Sequence, residues 1–120
     1  MEKILLLEDN LDILYANKEC LELEGYEVLA GKSTCEGEEI LHREKPELLV
    51  FDLAVPDPER MVFCQKLSRS VGFETVFLVP IGTEKKELEL IKKSGFHYVL
   101  KPYLMETLIN LIKSTLESKG

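Results

Sequence analysis

Short apolar runs alternate with longer stretches in which polar and apolar residues recur at helical spacing. Ile4-Leu5-Leu6-Leu7, Leu48-Leu49-Val50-Phe51 and Tyr98-Val99-Leu100 are apolar at every position, not at every second one. Such runs read as strands of a parallel sheet covered on both faces. The pattern predicts strands over 3–7, 27–30, 48–51, 75–79 and 97–100. Helices are predicted over 11–24, 34–43, from after Pro58 to about 69, 83–94 and 105–118. In the first helix Ile13, Ala16, Cys20 and Leu21 stand at i, i+3, i+7 and i+8, which marks them as the expected inward face. Ile40 and Leu41 do so in the second, and Leu108, Ile109, Ile112 and Leu116 in the fifth. Gly25 and Gly95 follow the first and fourth helices, as C-terminal glycines do. Pro46 bars extension of the second. Thr83, with acidic Glu84 behind it, suits the start of the fourth.

Five strand–helix units in 120 residues predict one domain, 1–120, of the α/β class. The expected architecture is a flavodoxin-like, doubly wound (βα)5 sandwich with a five-stranded parallel sheet in the order 2-1-3-4-5. That order puts strands one and three side by side where strand order reverses. Ligands of open α/β sheets bind there, beyond the carboxyl ends of the strands.

Composition narrows the function. Hydrophobic residues are 45% and charged residues 31% of the chain, enough for an ordinary packed core. A net charge of −7 argues against nucleic acid or an anionic membrane as a partner attracted by bulk charge. The longest aliphatic run has four residues, so no membrane span is expected, and the start Met1-Glu2-Lys3-Ile4 lacks a signal-peptide pattern. Cys20, Cys35 and Cys64 are odd in number and lack CxxC spacing, which points to a reducing compartment, here the cytoplasm, rather than to disulfides or zinc. Cys20 is expected in the core. His42 and His97 have no metal-ligand spacing, Asp57 and Glu59 read as solvated loop residues, and Tyr15 as a surface aromatic.

The chemistry gathers at three strand ends. Glu8 and Asp9 close the first run, Asp52 the third, and Lys101-Pro102 the fifth. In the expected order, three carboxylates and one ammonium converge on one edge. Two carboxylates about 4 Å apart repel by roughly 4 kcal/mol at an effective dielectric near 20. A hard cation such as Mg²⁺ would relieve that conflict, and the cluster suits a divalent metal together with a phosphoryl group.

Further residues complete a pattern. Glu8-Asp9-Asn10 follows strand one, Gly25-Tyr26-Glu27-Val28 leaves helix one, and Pro56 stands four residues after Asp52. Gly95 follows helix four, and Tyr98 precedes Lys101-Pro102-Tyr103 by three. Over essentially its whole length the chain resembles the receiver domain of two-component response regulators, in particular the chemotaxis-regulator type. The resemblance implies a Mg²⁺ (or Mn²⁺) site made by the side chains of Asp9 and Asp52, by Glu8 directly or through water, and by the Ala54 backbone carbonyl. It implies that Asp52 accepts a phosphoryl group from a phosphohistidine of a sensor histidine kinase or phosphotransfer protein, with Lys101 neutralising it and a cis bond before Pro102. Such a domain is not a classical enzyme, although it catalyses its own phosphorylation and dephosphorylation. Helix four, strand five and helix five would form the output face, toward an unidentified effector or a second copy of the chain. Leu104, Met105 and Leu111 are apolar residues near that face, with partial burial the favoured reading.

The chain also departs from that family. Receivers usually carry Thr or Ser at the end of strand four, where the hydroxyl binds the phosphoryl oxygen and draws the strand-five aromatic, here Tyr98, inward. Counting from Asp52 gives Pro80 at that position, and counting back from Lys101 gives Val79; neither has a hydroxyl, and Thr83 lies three residues beyond Pro80. Val55 and Arg60 replace a common Met and Gly in the loop after Asp52. These departures motivate an alternative, a receiver-like protein-binding module with weak or absent phosphorylation. A dehalogenase-type phosphatase fits poorly, because Ala54 stands where its second Asp would be. A flavodoxin would not present Glu8 and Asp9 to a phosphate, and no GxxxxGK motif is present.

Overall fold

The computed structural model of the protein describes residues 2–52 and 58–119. The elements alternate as β1 (Lys3–Leu7), α1 (Leu11–Leu23), β2 (Glu27–Gly31), α2 (Thr34–Glu44), β3 (Leu48–Asp52), α3 (Pro58–Val71), β4 (Glu74–Pro80), α4 (Lys85–Lys93), β5 (His97–Lys101) and α5 (Met105–Lys119). The strands form one parallel sheet in the order β2-β1-β3-β4-β5, the predicted fold. The observed strands extend the apolar runs by a residue or two, because ladder hydrogen bonds continue past the last apolar side chain.

The pleat explains why the strands are apolar throughout. Leu5, Leu7, Leu49, Phe51, Phe77 and Val79 pack on one face with Ile40 and Leu41 of α2, Cys64 and Leu67 of α3, and Ile91 of α4. Ile4, Leu6, Leu48, Val50, Val76, Leu78 and Val99 pack on the other with Leu14 and Leu21 of α1 and Leu108, Ile112 and Leu116 of α5. Each buried Leu, Ile, Val or Phe contributes about 1.5–3 kcal/mol relative to exposure. Burial also pushes the Cys64 thiol up to about 12, which makes it a packing residue. Close packing of α2 on β1 rests on Gly37: a Cβ there would come within 2.6 Å of Leu7 Cδ1.

Two helices differ from the predicted pattern. The inward face of α1 is Leu14, Asn17 and Leu21. Ile13 is 44% exposed, Ala16 is exposed and Cys20 only half-buried. The face is rotated because Asn17, a polar residue that periodicity counts as outward, is buried with its amide donating to the Tyr103 hydroxyl at 3.1 Å. Helix α4 begins two residues later than predicted. Thr83 is held in a turn, its hydroxyl donating to the Pro80 carbonyl at 2.6 Å, and Glu84 takes the cap position without a side-chain hydrogen bond. On α5, Ile109 and Leu111 pack partly buried against the core, while Leu104 before it is exposed. Among the described residues, no helix is long and apolar enough to cross a membrane.

Candidate functional site

The parallel register decides which residues meet at the carboxyl edge. Leu7 pairs with Gly31 on one side and Phe51 on the other. One step further along the edge come Lys32, Glu8 and Asp52. Asp52 pairs with Leu78, and Pro80 pairs with Lys101. The Lys101 ammonium spans the gap and donates to Asp52 Oδ1 at 2.6 Å. The Asp52 side chain is only 11% exposed, so its charge is partly desolvated and the nearby cation offsets that cost.

Glu8 and Asp9 stand beside this pair. Asn10 turns the chain into α1: its side-chain oxygen accepts from the backbone N–H groups of Asp12 and Ile13, an N-cap, while its own N–H donates to Glu8 Oε1 at 2.9 Å. The Glu8 carboxyl is nevertheless pushed up to about 7, first by burial and then by its hydrogen bond to Asp52, with the negative charge of Asp52 adding to the shift.

Asp52 separates two depressions. One, about 340 Å³, is lined by Leu7, Glu8, Asp9, Lys32, Ser33, Thr34, Phe51 and Asp52, so the three predicted carboxylates share one wall. The other is an open groove of about 490 Å³ lined by Ile13, Pro80, Ile81, Pro102 and Tyr103 as well as Asp52 and Lys101. The Lys101–Pro102 bond is cis.

Among the described residues, no group of three or more His, Cys, Asp or Glu side chains is drawn together tightly enough to hold a metal by itself. The Ala54 carbonyl lies outside the described residues, as do Val55, Pro56, Asp57 and the side chains of Glu59 and Arg60. The donors present still suit Mg²⁺, which takes oxygen ligands, uses one or two carboxylates and keeps several waters. The raised proton affinity of Glu8 comes first from burial and then from its contact with Asp52.

Of the two residues predicted for the end of strand four, Pro80 lines the groove beside Asp52 and Lys101, whereas Val79 is fully buried in the core. The N–H of Ile81 donates to the Lys101 carbonyl at 3.1 Å, and the Thr83 hydroxyl is engaged by Pro80. Tyr98 is half-buried against the core, with the Lys92 ammonium 5.7 Å from its ring centroid. Sequence reasoning missed the Asn17–Tyr103 contact and Lys32. Leu14, Asn17 and Leu21 have helical spacing that could have flagged the first. The strand order, which puts β2 beside β1, could have flagged the second.

Residues 4–113 match the response regulator receiver domain family, and the chain belongs to it. It is 25% identical over 114 residues to the transcriptional regulatory protein YxdJ of Bacillus subtilis, covering 95% of this chain and 50% of that protein. It is 24% identical over 119 residues to the protein PilH of Pseudomonas aeruginosa, covering 97% and 98%. The chain spans about half the length of YxdJ and of several other transcriptional regulators that it matches. Among solved structures, a CheY-like response regulator receiver domain protein from Methanospirillum hungatei superposes with a TM-score of 0.85 at 27% identity, covering 100% of this chain and 99% of that one. A receiver domain from Clostridium thermocellum gives 0.86 at 25%, covering 99% and 97%.

Proposed function

We propose that this receiver domain accepts a phosphoryl group on Asp52 in phosphorelay signalling. The observation that carries the reading is the Lys101–Asp52 contact of 2.6 Å on an edge shared with Glu8 and Asp9. An Asp52 oxygen is the nucleophile: it forms a bond to phosphorus while the bond from phosphorus to the donor breaks, leaving an aspartyl phosphate. Such transfer depends on positioning and charge neutralisation more than on proton movement. Lys101 serves as a compact point charge beside the acceptor oxygen. Glu8, Asp9, Asp52 and the Ala54 carbonyl would hold Mg²⁺ (or Mn²⁺), which when bound neutralises phosphoryl oxygens. The donor in the cell would be a phosphohistidine of a sensor histidine kinase or phosphotransfer protein. The output would pass through the face of α4, β5 and α5, to an effector or to a second copy of the chain, in the cytoplasm.

The test is an intact-mass measurement after treatment with Mg²⁺ and a small phosphodonor. The native protein gains about 80 Da, the mass of one phosphoryl group, and Asp52→Asn does not. An adduct that persists in the variant overturns the assignment. Absence of any adduct in the native protein would move the reading to a protein-binding module that is never phosphorylated.

A further inference from the structure

The cavity beside Asp52 holds a cation that the phosphoacceptor chemistry above leaves unused. Lys32 follows the last residue of β2 and lines the same cavity as Glu8, Asp9 and Asp52. Its place in the sheet is opposite to that of Lys101. The order β2-β1-β3-β4-β5 puts Lys32 beyond the β2 end and Lys101 at the β5 end, with the carboxylates of β1 and β3 between them. Strands about 4.8 Å apart set Lys32 roughly 10 Å from Asp52 along the edge, a span that a bound small molecule bridges. Lys101 is committed to Asp52. Lys32 has no ion pair or hydrogen bond with another residue among the described residues, although three carboxylates share its cavity. Ser33, beside it, is occupied with capping α2 through the Glu36 N–H. Among the described residues, the open side of the site away from Lys101 therefore carries one free positive charge on a flexible stem.

A phosphodonor must approach Asp52 with its leaving group directed away from the attacking oxygen, since the two lie roughly in line on phosphorus. We infer that Lys32 is a specificity-determining residue, which receives the anionic leaving group of an acyl-phosphate donor at the solvent side of this cavity. The inference rests on the assignment of Asp52 as phosphoacceptor. The step balances without a proton. The Asp52 carboxylate bonds to phosphorus, the bond between phosphorus and the acyl oxygen breaks, and its electron pair leaves as a free carboxylate. Negative charge grows on that carboxylate in the transition state, where an ammonium stabilises it. A phosphoramidate donor is the contrasting case. Its nitrogen is already protonated, it departs as neutral ammonia, and an ammonium nearby gives it no help.

The experiment compares initial rates of Asp52 phosphorylation with acetyl phosphate and with phosphoramidate, both at saturating Mg²⁺ and equal ionic strength. Lys32→Ala is expected to slow the acetyl phosphate reaction about 3- to 10-fold, the size of one partly exposed charge contact, and to leave the phosphoramidate rate unchanged. Lys32→Glu slows the acetyl phosphate reaction further, and Lys32→Arg restores it. Raising the ionic strength narrows the difference between native protein and Lys32→Ala with acetyl phosphate only. Equal loss with both donors overturns the inference, because it would make Lys32 a general counter-charge for the acidic wall. Unchanged rates with both donors overturn it as well, while Asp52 stands as the acceptor. No adduct from either donor in the native protein overturns the Asp52 assignment itself, and the inference with it.

Discussion

Glu8 shows at a single residue how the acidic edge stores its conflict. Its carboxyl sits near 7 instead of 4.5 because burial and Asp52 both oppose its charge. A raised carboxyl pKa means that the folded protein keeps a proton which the unfolded chain has already released. Stability therefore falls as pH rises from 4.5 to about 7, and levels off above. Glu8→Gln removes this dependence. In low salt with a chelator, the variant is expected to match the native protein near the lower end of that window. Above it, the variant should be more stable by about 1 kcal/mol, a figure reduced for the solvent exposure of the group. Urea midpoints at the two ends of the window check the sign, and a variant less stable at high pH would contradict it. The acidic residues themselves were legible in the chain because each ends an apolar run. The proton that Glu8 retains was not, since it depends on how deeply the fold sets Glu8 beside Asp52.

Elements pack here through small residues as much as through large ones. Gly37 lies within α2, where Ala normally stabilises a helix by about 1 kcal/mol over Gly. Here the Cβ would meet Leu7 Cδ1 at 2.6 Å and Cδ2 at 2.7 Å, and Leu7 is itself buried. Overpacking of this kind costs about 1–3 kcal/mol. Gly37→Ala is thus expected to destabilise the protein by about 1 kcal/mol net, visible as a lower urea midpoint with an unchanged slope. A raised midpoint would show that α2 moves away freely. Element type and order followed directly from hydrophobic period, since strands buried on both faces and amphipathic helices leave distinct patterns. The rotation of α1 did not: Ile13 and Ala16 fit the period as well as Leu14 and Asn17, and the face observed is the one that buries Leu14 and Leu21 and brings Asn17 to the Tyr103 hydroxyl, 86 residues away.

Across the whole molecule, the question is how the Asp52 edge communicates with the face of α4, β5 and α5. The family resemblance implies a strand-four hydroxyl that moves toward the phosphoryl group while the strand-five aromatic follows. Pro80 lines the groove where that hydroxyl would act, Ile81 N–H and the Thr83 hydroxyl are bonded elsewhere, and Tyr98 rests against the core. A ligand biases two states only by its differential interaction with them. A lost hydrogen bond to a charged group, about 1.5–3 kcal/mol, is as large as a typical coupling energy of about 1–3 kcal/mol. Beryllofluoride, a phosphoryl mimic, is therefore expected to bind at Asp52 and leave Tyr98 in its resting rotamer, with Pro80→Thr enlarging the response. Ring-proton chemical shifts of Tyr98 report the outcome, and a full inward swing in the native protein would refute it. Five strands, and the carboxylates and lysine that end them, could be read from the chain because side-chain period and run termini are local properties, and the strand order was expected only through the fold class that those elements define. The tertiary structure decided that Pro80 rather than Val79 lines the site, that Lys32 shares the Asp52 cavity, and that Asn17 is interior. Each of these depends on register and packing between segments distant in the chain, and a shift of one residue along a strand exchanges the core side for the site.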